Sequence, residues 1–141
     1  MGVDPFLIAP TLILAIAQRL VRKLCPDSRK QVTIEGKIKD VIMEEVSAMP
    51  EDLKKSITES MPNTIYSAES SPVCPKGTRG RMGIFEVLAM TPQLEHIILT
   101  SPSEAGIAEE ARRQGMISMK QDGVVKVLRG LIGYEELIEV V

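Results

Sequence analysis

At 141 residues and 15.5 kDa, with 44% hydrophobic residues, the chain has the size and apolar content of one compact domain and little margin for two. A net charge of -2 and a pI near 5.5 remove the electrostatic basis for sequence-independent phosphate-backbone binding, so nucleic acid is excluded as an expected partner. Aromatic residues are 3% of the chain and two cysteines are too few for a disulfide framework, so the core must come from Leu, Ile, Val, Ala and Met.

The segment from Pro5 to Leu24 has Pro10 near a helix start and then neither Gly nor Pro up to Cys25, which predicts one helix. Its part from Leu12 to Ala17 is apolar on every side, yet the apolar run from Phe6 to Ala17 follows Asp4 and is too short for a bilayer, so neither a signal peptide nor a membrane span is expected. A helix apolar all round needs burial on several faces. The expectation is therefore a piece of something larger, with Met1 an initiator or an internal residue, whose exposed first helix either drives self-association or rearranges when alone.

Cys25 to Gln31 reads as a turn. Ile38, Val41, Ile42, Val46 and Met49 recur at helical spacing after Gly36, and Pro50 opens a second helix through Leu53, Ile57 and Met61 that Pro62 stops. Thr64, Ile65 and Tyr66, and then Ile84, Phe85, Val87 and Leu88, are β-formers, expected as two short antiparallel strands. Thr91-Pro92 and Ser103 are helix starts, Gly115 is a stop, and two more helices are expected over Val124–Leu131 and Tyr134–Val140. The fold class is thus mainly α with a small antiparallel β-hairpin (α+β).

Cys25-Pro26-Asp27-Ser28 and Ser71-Pro72-Val73-Cys74 look like two Cys-x-x-Cys knuckles, each with one cysteine changed to serine. Four thiolates would make a zinc site, but a serine hydroxyl does not ionise near pH 7, and Cys25 and Cys74 would need His96 or carboxylates to complete a site. A Cys25–Cys74 disulfide requires the knuckles to meet and runs against a reducing compartment. Gly77 to Gly83 is a basic glycine loop without the Lys-Ser/Thr ending of a P-loop, so Arg81 is expected in an ion pair at a domain or subunit surface. His96 is expected at the surface, and the pairs Glu44-Glu45, Glu109-Glu110 and Glu135-Glu136 on solvated helix faces. The residues alone support no reaction.

Several strings stand in order: Gly2-Val3-Asp4-Pro5-Phe6, then Ala17 to Pro26; Ser71 to Cys74, then Gly77 to Glu86; Ala111 to Met116, then Asp122-Gly123, Lys126-Val127-Leu128 and Gly130. Together they resemble the C-terminal end of the bacterial type II secretion and type IV pilus assembly ATPases, over nearly the whole chain except about residues 29 to 68. The resemblance implies the helical C-terminal domain of a RecA-like ATPase with the core absent. It divides as 1–24, a helix leaving that core; 25–90, a degenerate zinc-knuckle region with a helical insertion and hairpin; and 91–141, a helical bundle. Ser28 and Ser71 depart from the family's cysteines, so its zinc is not carried over to Cys25 and Cys74. The family's Walker A lysine, Walker B acids and catalytic glutamate have no match, so ATP and Mg belong to the parent and the isolated chain is expected to be no enzyme.

The implied parent is a cytoplasmic hexameric motor held at the inner membrane through its partners. In it this domain would pack on the upstream ATPase core, contribute to subunit contacts and touch the membrane platform proteins. Arg79, Gly80, Arg81, Gly83 and Glu86 are the expected interface residues. Two alternatives from other classes are a stand-alone protein-interaction module and a thiol- or metal-sensing domain using Cys25 and Cys74.

Overall fold

A computed structural model describes residues 4–141; Met1, Gly2 and Val3, the first two of the residues quoted for the resemblance among them, lie outside the described residues. The elements run α1 (Pro5–Ile8), β1 (Leu14–Leu24), β2 (Lys30–Thr33), α2 (Gly36–Ser47), α3 (Glu51–Glu59), β3 (Thr64–Ser67), β4 (Thr78–Ala89), α4 (Pro92–Thr100), α5 (Glu104–Arg113), α6 (Met119–Leu128) and α7 (Tyr134–Ile138). None of these helices is long and apolar enough to cross a membrane.

The helix predicted over Pro5–Leu24 is corrected: only α1 is helical, and Leu14–Leu24 is an 11-residue strand. The reason is the partner. β1 pairs antiparallel with the 12-residue β4 from Leu14↔Ala89 to Leu24↔Thr78, and a strand sorts the apolar run into two faces where a helix would have spread it over all sides. The predicted pairing of Thr64–Tyr66 with Ile84–Leu88 is corrected too. β3 pairs with β2, which begins inside the expected turn, and β4 pairs with β1, giving two separate two-stranded sheets. The architecture is mixed α and β, with a long ribbon, and the reading as mainly α undercounted the strands.

The helices follow their signals. Thr91 Oγ1 accepts from the Leu94 N–H with Pro92 at the first turn, and Ser103 Oγ accepts from the Gly106 N–H. α5 ends before Gly115 at φ +77°. At α6, Ser118 and Gln121 form a capping box that the sequence reading passed over.

One core joins the base of the ribbon to α2, β3, α6 and α7. Val21 and Ile84 of the ribbon base meet Ile42, Val46 and Met49 of α2 and its end, Ile65 of β3, Val124 and Val127 of α6, Ile132, and Leu137 of α7. Arg29 fastens the small β2–β3 sheet to the end of α6, lying 4.1 Å above the Tyr66 ring while its Nη1 donates to the Gly130 carbonyl at 2.8 Å.

Candidate interaction surface

Directly opposed residues of an antiparallel pair share a face. One face of the β1–β4 ribbon therefore carries Leu14, Ile16, Gln18, Leu20 and Arg22 opposite Ala89, Val87, Phe85, Gly83 and Arg81. Leu14, Ile16, Leu20, Phe85 and Val87 on it are all 40% exposed or more. The other face turns Val21 and Ile84 into the core with no exposure at all. The sequence reading missed this surface, because Leu14 to Leu24 carries no clean apolar/polar alternation to signal a strand.

α6 covers part of the β4 edge. Asp122 Oδ2 accepts the outward N–H of Phe85 at 2.8 Å, and Glu86 Oε2 accepts the N–H of Met119 at 3.3 Å, a carboxylate at a helix N-terminus. Glu86 is thus engaged within the chain. Gly83 gives the Phe85 ring its place, since a Cβ there would stand 2.6 Å from Cζ of that ring.

The basic loop enters β4 through a bulge, because Arg79 and Gly80 together stand opposite the single residue Lys23. Gly80 takes φ +76° with open space around it, so its backbone, not crowding, calls for glycine. Gly77, at φ +65°, also lacks room: a Cβ would lie 2.5 Å from the Glu69 backbone nitrogen. Arg79 and Arg81 are exposed, and Arg81 stands directly opposite Arg22, a like-charge pair that weakens a sheet unless an anion neutralises it. The ion pairs found among the described residues include none of Arg22, Arg79 and Arg81, so the expected ion pair at Arg81 is not made within the chain.

The two knuckles do meet, and Cys25 and Cys74 are joined by a disulfide, their Cα atoms 6.5 Å apart. Ser71 Oγ accepts the Cys74 N–H at 3.0 Å, and Ser28 Oγ is buried without a hydrogen-bond partner among the described residues. Two sulfurs bonded to each other and two hydroxyls are not a donor set for four-coordinate zinc. His96, the proposed extra ligand, is exposed on α4, and no group of three or more His, Cys, Asp or Glu side chains gathers among the described residues.

The glutamate pairs are not all solvated, which corrects the sequence reading: in each pair one carboxylate finds shelter. Glu45 pairs with Lys120 at 2.7 Å. Glu110, 2% exposed, accepts from Thr91, Gln114 and Arg113, and the Arg113 hydrogen bonds foremost hold its carboxyl at about 2. Glu136 has a buried Oε2 without a partner among the described residues, and burial raises its pKa.

The family described as type II/IV secretion system protein matches residues 1–139. The chain is 34% identical over 137 residues to the type IV pilus assembly ATPase PilB of Pseudomonas aeruginosa, covering 97% of this chain and 22% of that protein. It is 34% identical over 141 residues to the type II secretion system ATPase E of Vibrio cholerae, covering 99% of this chain and 25% of the relative. Against the protein transport protein HofB homolog of Escherichia coli the identity is 34% over 140 residues, covering 99% of this chain and 27% of that protein. The chain spans about a quarter of the length of these relatives.

Proposed function

The chain belongs to the type II/IV secretion system protein family, and on that premise we propose that it is the mechanical C-terminal domain of an ATPase that drives pilus or pseudopilus assembly. ATP and Mg chemistry resides in the remaining part of the parent, a hexamer on the cytoplasmic side of the inner membrane. This domain transmits force by packing on the ATPase core, on neighbouring subunits and on platform proteins. The three-part division at residues 24 and 90 stands as part of the same proposal, and β1 and β4 pair across its first boundary.

The observation that carries this reading is the ribbon face. An isolated two-stranded ribbon is marginal in water, and a row of exposed Leu, Ile, Phe and Val beside unpaired guanidinium groups is a surface that a free monomer rarely presents. Arg79 and Arg81, presented by the Gly80 bulge, supply the charged border of the contact. The test is Ile16→Asp and Arg81→Ala in the full-length parent. Assembly or ATP turnover should fall by an order of magnitude or more for Ile16→Asp and by less for Arg81→Ala, while the melting of the 141-residue chain carrying either change stays within about 0.5 kcal/mol of wild type. Unchanged oligomer and turnover in both variants would remove the ribbon from the mechanism.

A further inference from the structure

We propose that Cys25 and Cys74 form a redox-gated clasp: the disulfide holds the loop 68–77 against the end of β1, and reduction to two thiols frees that loop while the rest of the fold stays in place. The proposal is independent of the motor reading.

Cys25 is the fixed post. It is fully buried, directly follows the buried Leu24, and its N–H donates to the Gly77 carbonyl at 2.9 Å. Cys74 is the movable hook. Among residues 68–77 only Cys74 and Gly77 are buried, so Cys74 is the one side chain that anchors this loop in the interior. The other hydrogen bonds of the turn are local: Ser71 and Cys74 exchange backbone bonds at 3.0 and 3.1 Å, and the Gly77 N–H returns to the Cys74 carbonyl at 2.9 Å. A segment with so few buried contacts belongs to the least stable part of a fold once its crosslink is gone.

The elements enclosed between the two cysteines do not depend on the bond. α2 and β3 are held by Ile42, Val46, Met49 and Ile65 in the common core. Opening is therefore confined to the loop and to the entry of β4, where Arg79 and Gly80 form the bulge. Cys74 is 4% exposed beside the 70% exposed Val73, so an incoming thiol reaches its Sγ during transient local opening of the turn, ahead of the lasting release that reduction brings.

Closure needs an oxidant, and a small-molecule disulfide such as oxidised glutathione serves. The Cys74 thiolate attacks one of its sulfurs and expels one glutathione thiolate; the Cys25 thiolate then attacks Cys74 Sγ and expels the second. The protein thiols lose two protons and two electrons, which appear as two glutathione thiols, and reduction runs the same exchange backwards.

The test equilibrates the chain in glutathione buffers from reducing to oxidising, counts trapped thiols by mass, and follows amide exchange. Trapped thiols should fall from two to none across the series. Amides of residues 71–77 should exchange at least tenfold faster in the dithiol form, with those of 124–128 in α6 unchanged. Cys74→Ser should give the fast loop in every buffer, with α6 protection showing that the variant is folded. A thiol count that does not change, equal loop exchange in both forms, a Cys74→Ser loop that stays protected, or α6 exchange rising with the loop would each overturn the proposal.

Discussion

The two faces of the β1–β4 ribbon are built from the same residue types and live in different environments. On one face Val21 and Ile84 are wholly buried, whereas on the other Leu14, Ile16, Leu20 and Val87 are 45%, 59%, 52% and 48% exposed. The side chains do not make the difference; what lies over them does. α2, α6 and α7 close over one face at the base, and among the described residues nothing comparable covers the other face. An apolar residue thus reports core only where a second layer is present, and elsewhere it reports a contact waiting to be made.

Substitutions on the two faces sharpen that contrast. Ile84→Ala on the buried face should cost about 2–5 kcal/mol, from lost transfer free energy and the cavity left behind, read by denaturant unfolding. If it costs less than about 1 kcal/mol, that face is not the packed one it is taken for. On the exposed face, Ile16→Ser should change the stability of the monomer by no more than about 0.5 kcal/mol but lower the tendency of the chain to self-associate, read by sedimentation at rising concentration. Wild-type chain that sediments as a monomer at high concentration would argue that the face is less adhesive than its composition implies.

A third effect lies away from the ribbon, at Glu110, and calibrates it. Its folded pKa is about 2 against an ordinary value of 4.5, so the Thr91–Glu110–Arg113 contacts contribute stability above pH 4.5 that is lost as the pH falls towards 2. Glu110→Gln should flatten that part of the acid unfolding curve, whereas Ile16→Ser should leave its shape alone. An unchanged acid limb in Glu110→Gln would assign the pH dependence to other carboxylates.

Local chemistry was legible where the physics is local. Thr91-Pro92, Ser103 and Gly115 mark helix ends because the side-chain oxygen, the proline ring or the positive φ acts within one turn of chain. The spacing of Ile38, Ile42, Val46 and Met49 gave α2 for the same reason, since i and i+4 neighbours meet on one helix face. The pattern of Leu14 to Leu24 was ambiguous because its alanines, leucines and isoleucines satisfy helix and strand alike. The choice fell to β4, more than fifty residues on, whose ladder supplies the backbone hydrogen bonds. The candidate site divides in the same way: Arg79, Gly80 and Arg81 were readable as a basic glycine loop, whereas Arg22 became part of that site only through its register opposite Arg81.

By itself the sequence determined the size, the mild acidity, most helix boundaries, the degenerate knuckle motifs and, through an ordered set of short strings, the family. Only the tertiary structure decided that Leu14–Leu24 is a strand, that β3 and β4 belong to different sheets, that Cys25 reaches Cys74, and which of each pair of glutamates turns inward. The first three of those outcomes share one cause. Each depends on a partner far along the chain, and a residue's own propensity carries no record of which distant backbone or side chain will face it.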